Sequence, residues 1–192
     1  MQDVKADGEN IEEINGFVVL VFNFFEMLAQ ACIFVTLIFS FLFRTVGVEG
    51  PSMNNTLQDK DRLLIVSPLL HKPKKKDIVI VNTMDIFDVL IVKRIIAVEG
   101  QTVDMKKEGS SYYVYIDGRK IEENYIKEPI DEFCLGDLKY PITIPKGYVF
   151  VMGDNRNNSK DSRHIGIVNL EKIKGIALCR FLPFRNFKIF KN

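Results

Sequence analysis

Hydrophobic and polar positions divide this chain into two regimes. Residues 27–43 carry no charged side chain, and these 17 positions, wound as a helix, reach about 26 Å, a little short of the roughly 30 Å hydrocarbon core of a bilayer. A few flanking residues complete the crossing. Upstream, residues 17–25 are apolar apart from Asn23, but carrying the span over them would bury Glu26, and an ionised carboxylate at that depth costs a few kcal/mol. Glu26 is therefore expected at one interface, with residues 17–25 as an interfacial lead-in. Beyond the apolar stretch the pattern changes to short β-like runs at 62–66, 77–81, 89–98, 112–116, 148–152 and 173–179, punctuated by turns. The expected architecture is mainly β: an antiparallel β-sheet domain following a single N-terminal transmembrane helix. It divides into an N-terminal segment 1–26, an anchor 27–45 and a domain 46–192.

Turn chemistry supports the β reading. Asp117-Gly118 separates a Tyr/Val/Ile run from Lys120-Ile121 as a hairpin turn would, and Pro145-Lys146-Gly147 leads into another run. His71-Lys72-Pro73-Lys74-Lys75-Lys76 reads as a solvated basic turn. Residues 122–140 are polar and aperiodic, and are expected as a surface excursion. At the far end Phe181, Phe184, Phe187 and Phe190 alternate with Arg180, Arg185, Lys188 and Lys191, a pattern that fits either an interfacial contact or a closing strand.

Composition narrows the function. With 26 basic and 25 acidic residues in 192, the net charge of +1 gives no reason to expect a polyanion partner, and nucleic acid is set aside. Cys32, Cys134 and Cys179 lack metal-like spacing, so neither a metal nor a cofactor is expected, and nothing in their placement supports a disulfide. Ser40-Phe41-Leu42-Phe43-Arg44 offers no pair of small residues for processing. The head carries Asp3, Asp7, Glu9, Glu12 and Glu13 against Lys5 alone, so the apolar stretch reads as an uncleaved anchor. The acidic head gives no positive-inside signal for its direction, and Arg44 with Arg62 favours, if anything, a cytoplasmic C-terminal side.

Candidate chemistry begins at Val48-Glu49-Gly50-Pro51-Ser52-Met53. A serine hydroxyl needs a base, and the usual one is histidine, but the chain has only His71, in the basic turn, and His164, beside no acidic orienter. Lys93 is the alternative. It must be neutral to act, far below the ordinary lysine value of about 10.4, and desolvation is the available lever. In an extended run, Lys93 shares a face with Val89, Ile91, Ile95 and Ala97, all apolar. Arg94 then projects to the other face, where a permanent charge requires a partner. A third block, Gly153-Asp154-Asn155-Arg156-Asn157-Asn158-Ser159-Lys160-Asp161-Ser162-Arg163, interleaves two acids, two arginines and two serines into a candidate charge-paired platform.

In that order and spacing these blocks resemble the bacterial type I signal peptidases, over most of the chain from about Glu26 onward. The resemblance implies a membrane-anchored serine endopeptidase with Ser52 as nucleophile and Lys93 as general base. It implies that Ser159 hydrogen-bonds the lysine, that Asp161 and Arg163 form a structural ion pair, and that Asp154 partners Arg94. Pocket-lining positions fall on Val46, Val48, Met53, Leu57 and Val92. The implied substrates are exported precursors cut after small residues in an Ala-x-Ala pattern. The implied setting is the cytoplasmic membrane, with lipid as a further partner, the N-terminus in the cytoplasm and the catalytic domain outside. Two departures stand out: Gly50 occupies a position where some relatives supply a hydroxyl to the oxyanion, and Asn55 stands where relatives usually carry a proline, which is expected to alter loop rigidity. Rival readings fare worse. Asn54 breaks the Gly-x-Ser-x-Gly of α/β-hydrolases, and Asn55 breaks the Ser-x-x-Lys of penicillin-binding enzymes. A repressor-type Ser-Lys peptidase would carry a DNA-binding head in place of an anchor, and a domain that only binds precursors has no use for an intact dyad.

Overall fold

The computed structural model describes residues 3–86 and 88–190, with side chains from residue 18 onward, so the side chains of the acidic head and of Lys191 lie outside the described residues. Two compact units divide the chain, Met1–Leu42 and Phe43–Asn192. The first is a single helix, α1 (Asp3–Leu42). Within it Val18–Leu42, 25 residues, is long and apolar enough to cross a membrane. Its large apolar side chains, Leu20, Phe22 and Phe34 among them, are exposed, while Thr36 and the Gln30–Glu26 pair bond along the helix itself. Thr36 Oγ1 donates to the Cys32 carbonyl at 2.7 Å, and Gln30 Nε2 donates to Glu26 Oε1 at 3.3 Å. That self-satisfaction is what an apolar surrounding demands of backbone and side-chain polar groups. The helix runs unbroken through Glu26, so the stretch of membrane length includes that residue, which the sequence placed at an interface.

The second unit is mainly β, and every strand pairing among its described residues is antiparallel. Strands β1 (Phe43–Gly47), β2 (Arg62–Val66), β3 (Ile78–Asn82), β4 (Leu90–Val98), β9 (Tyr148–Met152), β10 (Val168–Asn169) and β11 (Ile173–Leu182) form a sheet in the order β1-β2-β11-β3-β4-β9-β10. A short β12 (Lys188–Ile189) pairs with β11 and completes the eight strands. A smaller sheet, in the order β7-β6-β5-β8, comprises β5 (Thr102–Glu108), β6 (Ser111–Ile116), β7 (Arg119–Lys120) and β8 (Ile142–Thr143). The β6–β7 turn is Asp117-Gly118, both at positive φ (51° and 79°), the left-handed pair that a two-residue hairpin requires.

Alternation along the strands sorts the side chains into cores. Val79, Val81, Ile95, Val149, Val151, Ile173 and Ile176 fill one face of the large sheet. Val48, Met53, Leu57, Leu63, Ile65, Ile78 and Ile80 fill another cluster, and Ile96, Ala97, Phe150 and Met152 join the small sheet's Val103, Val114 and Ile116. The β4–β9 register shifts between Ile95 and Ala97. This irregularity interrupts the expected alternation: Ile91 and Ile95 stay with the Lys93 face, whereas Ala97 turns with Ile96 into the other core. Val89 likewise departs from expectation, lying before β4 and 48 % exposed. At the far end β12 closes on β11 and Phe190 packs against the sheet, so the terminal pattern is a closing strand, with Phe184 and Phe187 left exposed.

Candidate active site

Ser52 is presented by a coiled turn that the sequence anchors from within. Met53 and Leu57, four residues apart, plug into the core at 1 % and 0 % exposure, while Asn54 N–H closes onto the Pro51 carbonyl (3.0 Å) and Leu57 N–H onto the Met53 carbonyl (2.8 Å). With those two side chains inward, the serine between Pro51 and Met53 faces out. Further ties hold the turn in place. Thr56 Oγ1 donates to Asp154 Oδ2 (2.5 Å), Arg180 on β11 donates to Asp61 Oδ2 (2.8 Å), and Gly50 N–H donates to Asp59 Oδ1 (2.9 Å). Asn55 adopts φ 85°, a conformation closed to proline but open to asparagine, and its Nδ2 bonds the Ile126 carbonyl at 3.0 Å. Asn55 is thus held by its own side-chain tether rather than left loose.

Lys93, at the middle of β4, brings its Nζ to 2.7 Å from Ser52 Oγ and 2.9 Å from the Val92 carbonyl. Its side chain is 3 % exposed. Burial lowers its pKa to about 8, against the opposing pull of the Asp161 and Asp154 carboxylates and with help from the Arg163 charge. Arg94, on the opposite face, makes a two-pronged pair with Asp154 (Nε to Oδ1 2.8 Å, Nη2 to Oδ2 2.6 Å). It stacks 4.2 Å from the centre of the Tyr125 ring and also donates to the Lys76 carbonyl.

The glycine-led block follows β9 directly. Met152 is the register partner of Arg94, so Gly153 emerges beside Lys93. A methyl group at Gly153 would fall on Ser159 Oγ and on the Ser52 carbonyl, which explains why only glycine fits. Asp161 and Arg163 are both fully buried and doubly bonded (Oδ1–Nε 2.8 Å, Oδ2–Nη2 2.8 Å). Burial would raise the Asp161 carboxyl, but the Arg163 guanidinium, the Gly153 N–H and the Ser159 hydroxyl together hold it below its usual value. Arg163 also donates to the Cys134 carbonyl at 2.6 Å.

Two sequence expectations are revised. The Ser159 hydroxyl donates to Asp161 Oδ2 at 2.8 Å, and among the described residues no hydrogen bond joins it to Lys93. The carboxylate, already committed to Arg163, is the stronger acceptor. Of the five expected pocket positions, Val46 and Val92 line the cleft that contains Ser52 and Lys93, whereas Val48, Met53 and Leu57 lie beneath it in the core. That cleft measures about 830 Å3, and its apolar wall comes from Ile80, Val89, Leu90 and Ile91.

Three contributors escaped the sequence. Glu123 and Tyr125 come from the excursion at 122–140, which folds over the block: Glu123 forms a two-pronged pair with Arg156 (2.9 Å at Nη1), and Tyr125 covers Arg94. Charge counting contained the signal for Glu123, since Arg94, Arg156 and Arg163 outnumber Asp154 and Asp161 by one. Asn155, 3 % exposed, touches both carbonyls around the nucleophile, its Nδ2 bonding Pro51 O (3.1 Å) and its N–H bonding Ser52 O (3.0 Å). No group of three or more His, Cys, Asp or Glu suited to a metal occurs among the described residues.

Residues 21–182 match the family described as signal peptidase, peptidase S26. The chain is similar to a signal peptidase I of Bacillus licheniformis, 35 % identical over 176 residues that cover 88 % of this chain and 92 % of the relative. It is also similar to signal peptidase I T of Bacillus subtilis (strain 168), 37 % identical over 82 % of this chain and 83 % of the relative. Among solved structures, a signal peptidase I from Enterococcus faecalis V583 is 28 % identical, with 55 % of this chain and 96 % of that one covered and a TM-score of 0.43.

Proposed function

This chain belongs to the signal peptidase I family of S26 peptidases, enzymes that remove signal peptides, and from that premise we propose that it cuts exported precursors with a Ser52–Lys93 dyad. The observation that carries the proposal is the 2.7 Å contact between a serine oxygen and an amine with almost no access to water. With Lys93 neutral, the serine hydroxyl gives its proton to Nζ as Oγ attacks the scissile carbonyl. The resulting ammonium delivers that proton to the leaving amine, and an acyl-enzyme remains on Ser52. Water, deprotonated by the same amine, then releases the signal peptide. Ser52 N–H, which has no acceptor among the described residues, is available to the oxyanion. Asp161, Arg163, Asp154 and Arg94, all buried, together with the half-buried Ser159, act at one remove, as the frame behind the amine.

The cleft wall of Val46, Ile80, Ile91 and Val92 suits small apolar side chains next to the cut, in keeping with Ala-x-Ala sites. Residues 43–45, expected in the anchor, belong to β1, so we further propose that the apolar stretch of α1 ending at Leu42 anchors the protein in the cytoplasmic membrane, with the N-terminus on the cytoplasmic side and the β unit outside, where membrane-held precursors present their cleavage sites. A cleavage assay tests the mechanism. Precursor carrying an Ala-x-Ala site is expected to be processed by wild type, with Ser52→Ala and Lys93→Ala each reducing turnover by at least about 10³-fold while the circular dichroism of the β domain persists. Undiminished cleavage by the Lys93 variant would assign the base elsewhere.

A further inference from the structure

Two peptide planes meet at the Cα of Ser52, and Asn155 holds both. Its backbone N–H binds the Ser52 carbonyl (3.0 Å), and its side-chain Nδ2 binds the Pro51 carbonyl (3.1 Å). The Pro51–Ser52 peptide is trans, so its C=O and N–H point in opposite directions across one rigid plane. Whatever holds the Pro51 carbonyl therefore aims the Ser52 N–H. Within the turn, only Asn54 N–H (3.0 Å) shares this task. Asn155 adds a restraint from outside the turn, and its own backbone is flanked by the Asp154–Arg94 and Arg156–Glu123 pairs. Meanwhile the amide oxygen of Asn155 is buried with no partner, so the side chain is oriented for its donor alone and leaves an acceptor unmet.

We infer that Asn155 is a positioning residue that points the Ser52 N–H at the oxyanion forming on the scissile carbonyl. The inference rests on the reading of Ser52 as nucleophile. Its readout is transition-state stabilisation, separable from both the pKa of the base and ground-state binding.

The test uses the full chain in detergent micelles, with Asn155→Leu and Asn155→Ala measured against a signal-sequence peptide and a peptide aldehyde. Leu keeps the approximate shape of the side chain and loses the donor without adding a charge near Lys93, so it decides the matter should the Ala variant unfold. On addition of the aldehyde, the Oγ–C bond forms, the hydroxyl proton passes to Lys93, and the carbonyl pair becomes an oxyanion facing Ser52 N–H. The expected result is a fall in kcat of about 10- to 100-fold, part of what deletion of a whole oxyanion donor costs, with KM within about twofold and an unchanged apparent pKa of the rate. Aldehyde affinity should weaken by the same factor as kcat/KM, while affinity of the uncleaved peptide in a Ser52→Ala background stays constant. A kcat within twofold of wild type, a loss confined to KM, a displaced pKa, or aldehyde affinity that holds while kcat falls would each overturn the assignment. Ser52→Ala serves as the reference: if it still cleaves, the nucleophile reading falls first and this inference with it, whereas an inactive Ser52→Ala beside unimpaired Asn155 variants removes Asn155 alone.

Discussion

Neighbouring cations on one strand meet opposite fates, and the difference is one of supply. Arg94 has a carboxylate at both prongs, an aromatic face and two further acceptors, so its permanent charge is met. Lys93 has a hydroxyl and one carbonyl, and burial drives its pKa down to about 8 despite the carboxylates of Asp161 and Asp154. Activity that depends on the neutral amine should accordingly rise with pH through about 8, read from initial rates between pH 6 and 10. The same displacement bears on stability. An unfolded lysine binds its proton more tightly than the folded one, so stability should increase with pH between about 8 and the ordinary lysine value, and below 8 the fold carries the full cost. At neutral pH that cost is roughly 3 kcal/mol. Lys93→Met should therefore abolish cleavage yet raise the urea midpoint at pH 7, and a lowered midpoint would show that the amine is not held against its preference.

At the scale of elements, strands with one fully apolar face were legible and polar ones were not. The runs at 62–66 and 148–152 match β2 and β9 residue for residue, and 89–98 differs from β4 by one. β5 went unseen because its Thr-Val-Asp-Met-Lys-Lys-Glu pattern leaves only Val103 fully buried, and β8, β10 and β12 are two-residue pairings that only tertiary contacts create. The blocks bearing Ser52, Lys93 and Asp161 could be found because their chemistry is unusual for a sheet. The role of the excursion at 122–140 could not, because its work is done by Glu123, Tyr125 and Ile130 across long sequence separations. Its importance can be measured. Glu123→Gln leaves Arg156, 1 % exposed, without its counter-charge and should cost about 3–5 kcal/mol in chemical denaturation. The exposed Lys107–Glu132 pair is the control, where Glu132→Gln should change stability by no more than about 0.5 kcal/mol. Equal effects would mean that the excursion is not part of the frame.

For the molecule as a whole, the division at residues 42 and 43 makes the two halves separable by experiment. The β unit holds all three cores and every residue of the proposed site, so a fragment of residues 43–192 should fold with a melting temperature within a few degrees of the full chain. Exposure of the β unit to protease added outside intact cells tests the proposed orientation, and full protection of that unit would reverse it. The junction itself sets a limit on reach. Ser52 stands ten residues past Leu42, where the helix ends, and ten residues of even fully stretched chain extend no farther than about 35 Å. The nucleophile is thus on a leash about one bilayer thickness long. If α1 holds the chain in the membrane as proposed, such a leash acts as a depth gauge: bonds buried far along a secreted chain stay beyond its radius, and a protease so tethered needs little sequence discrimination to spare mature proteins once they diffuse away.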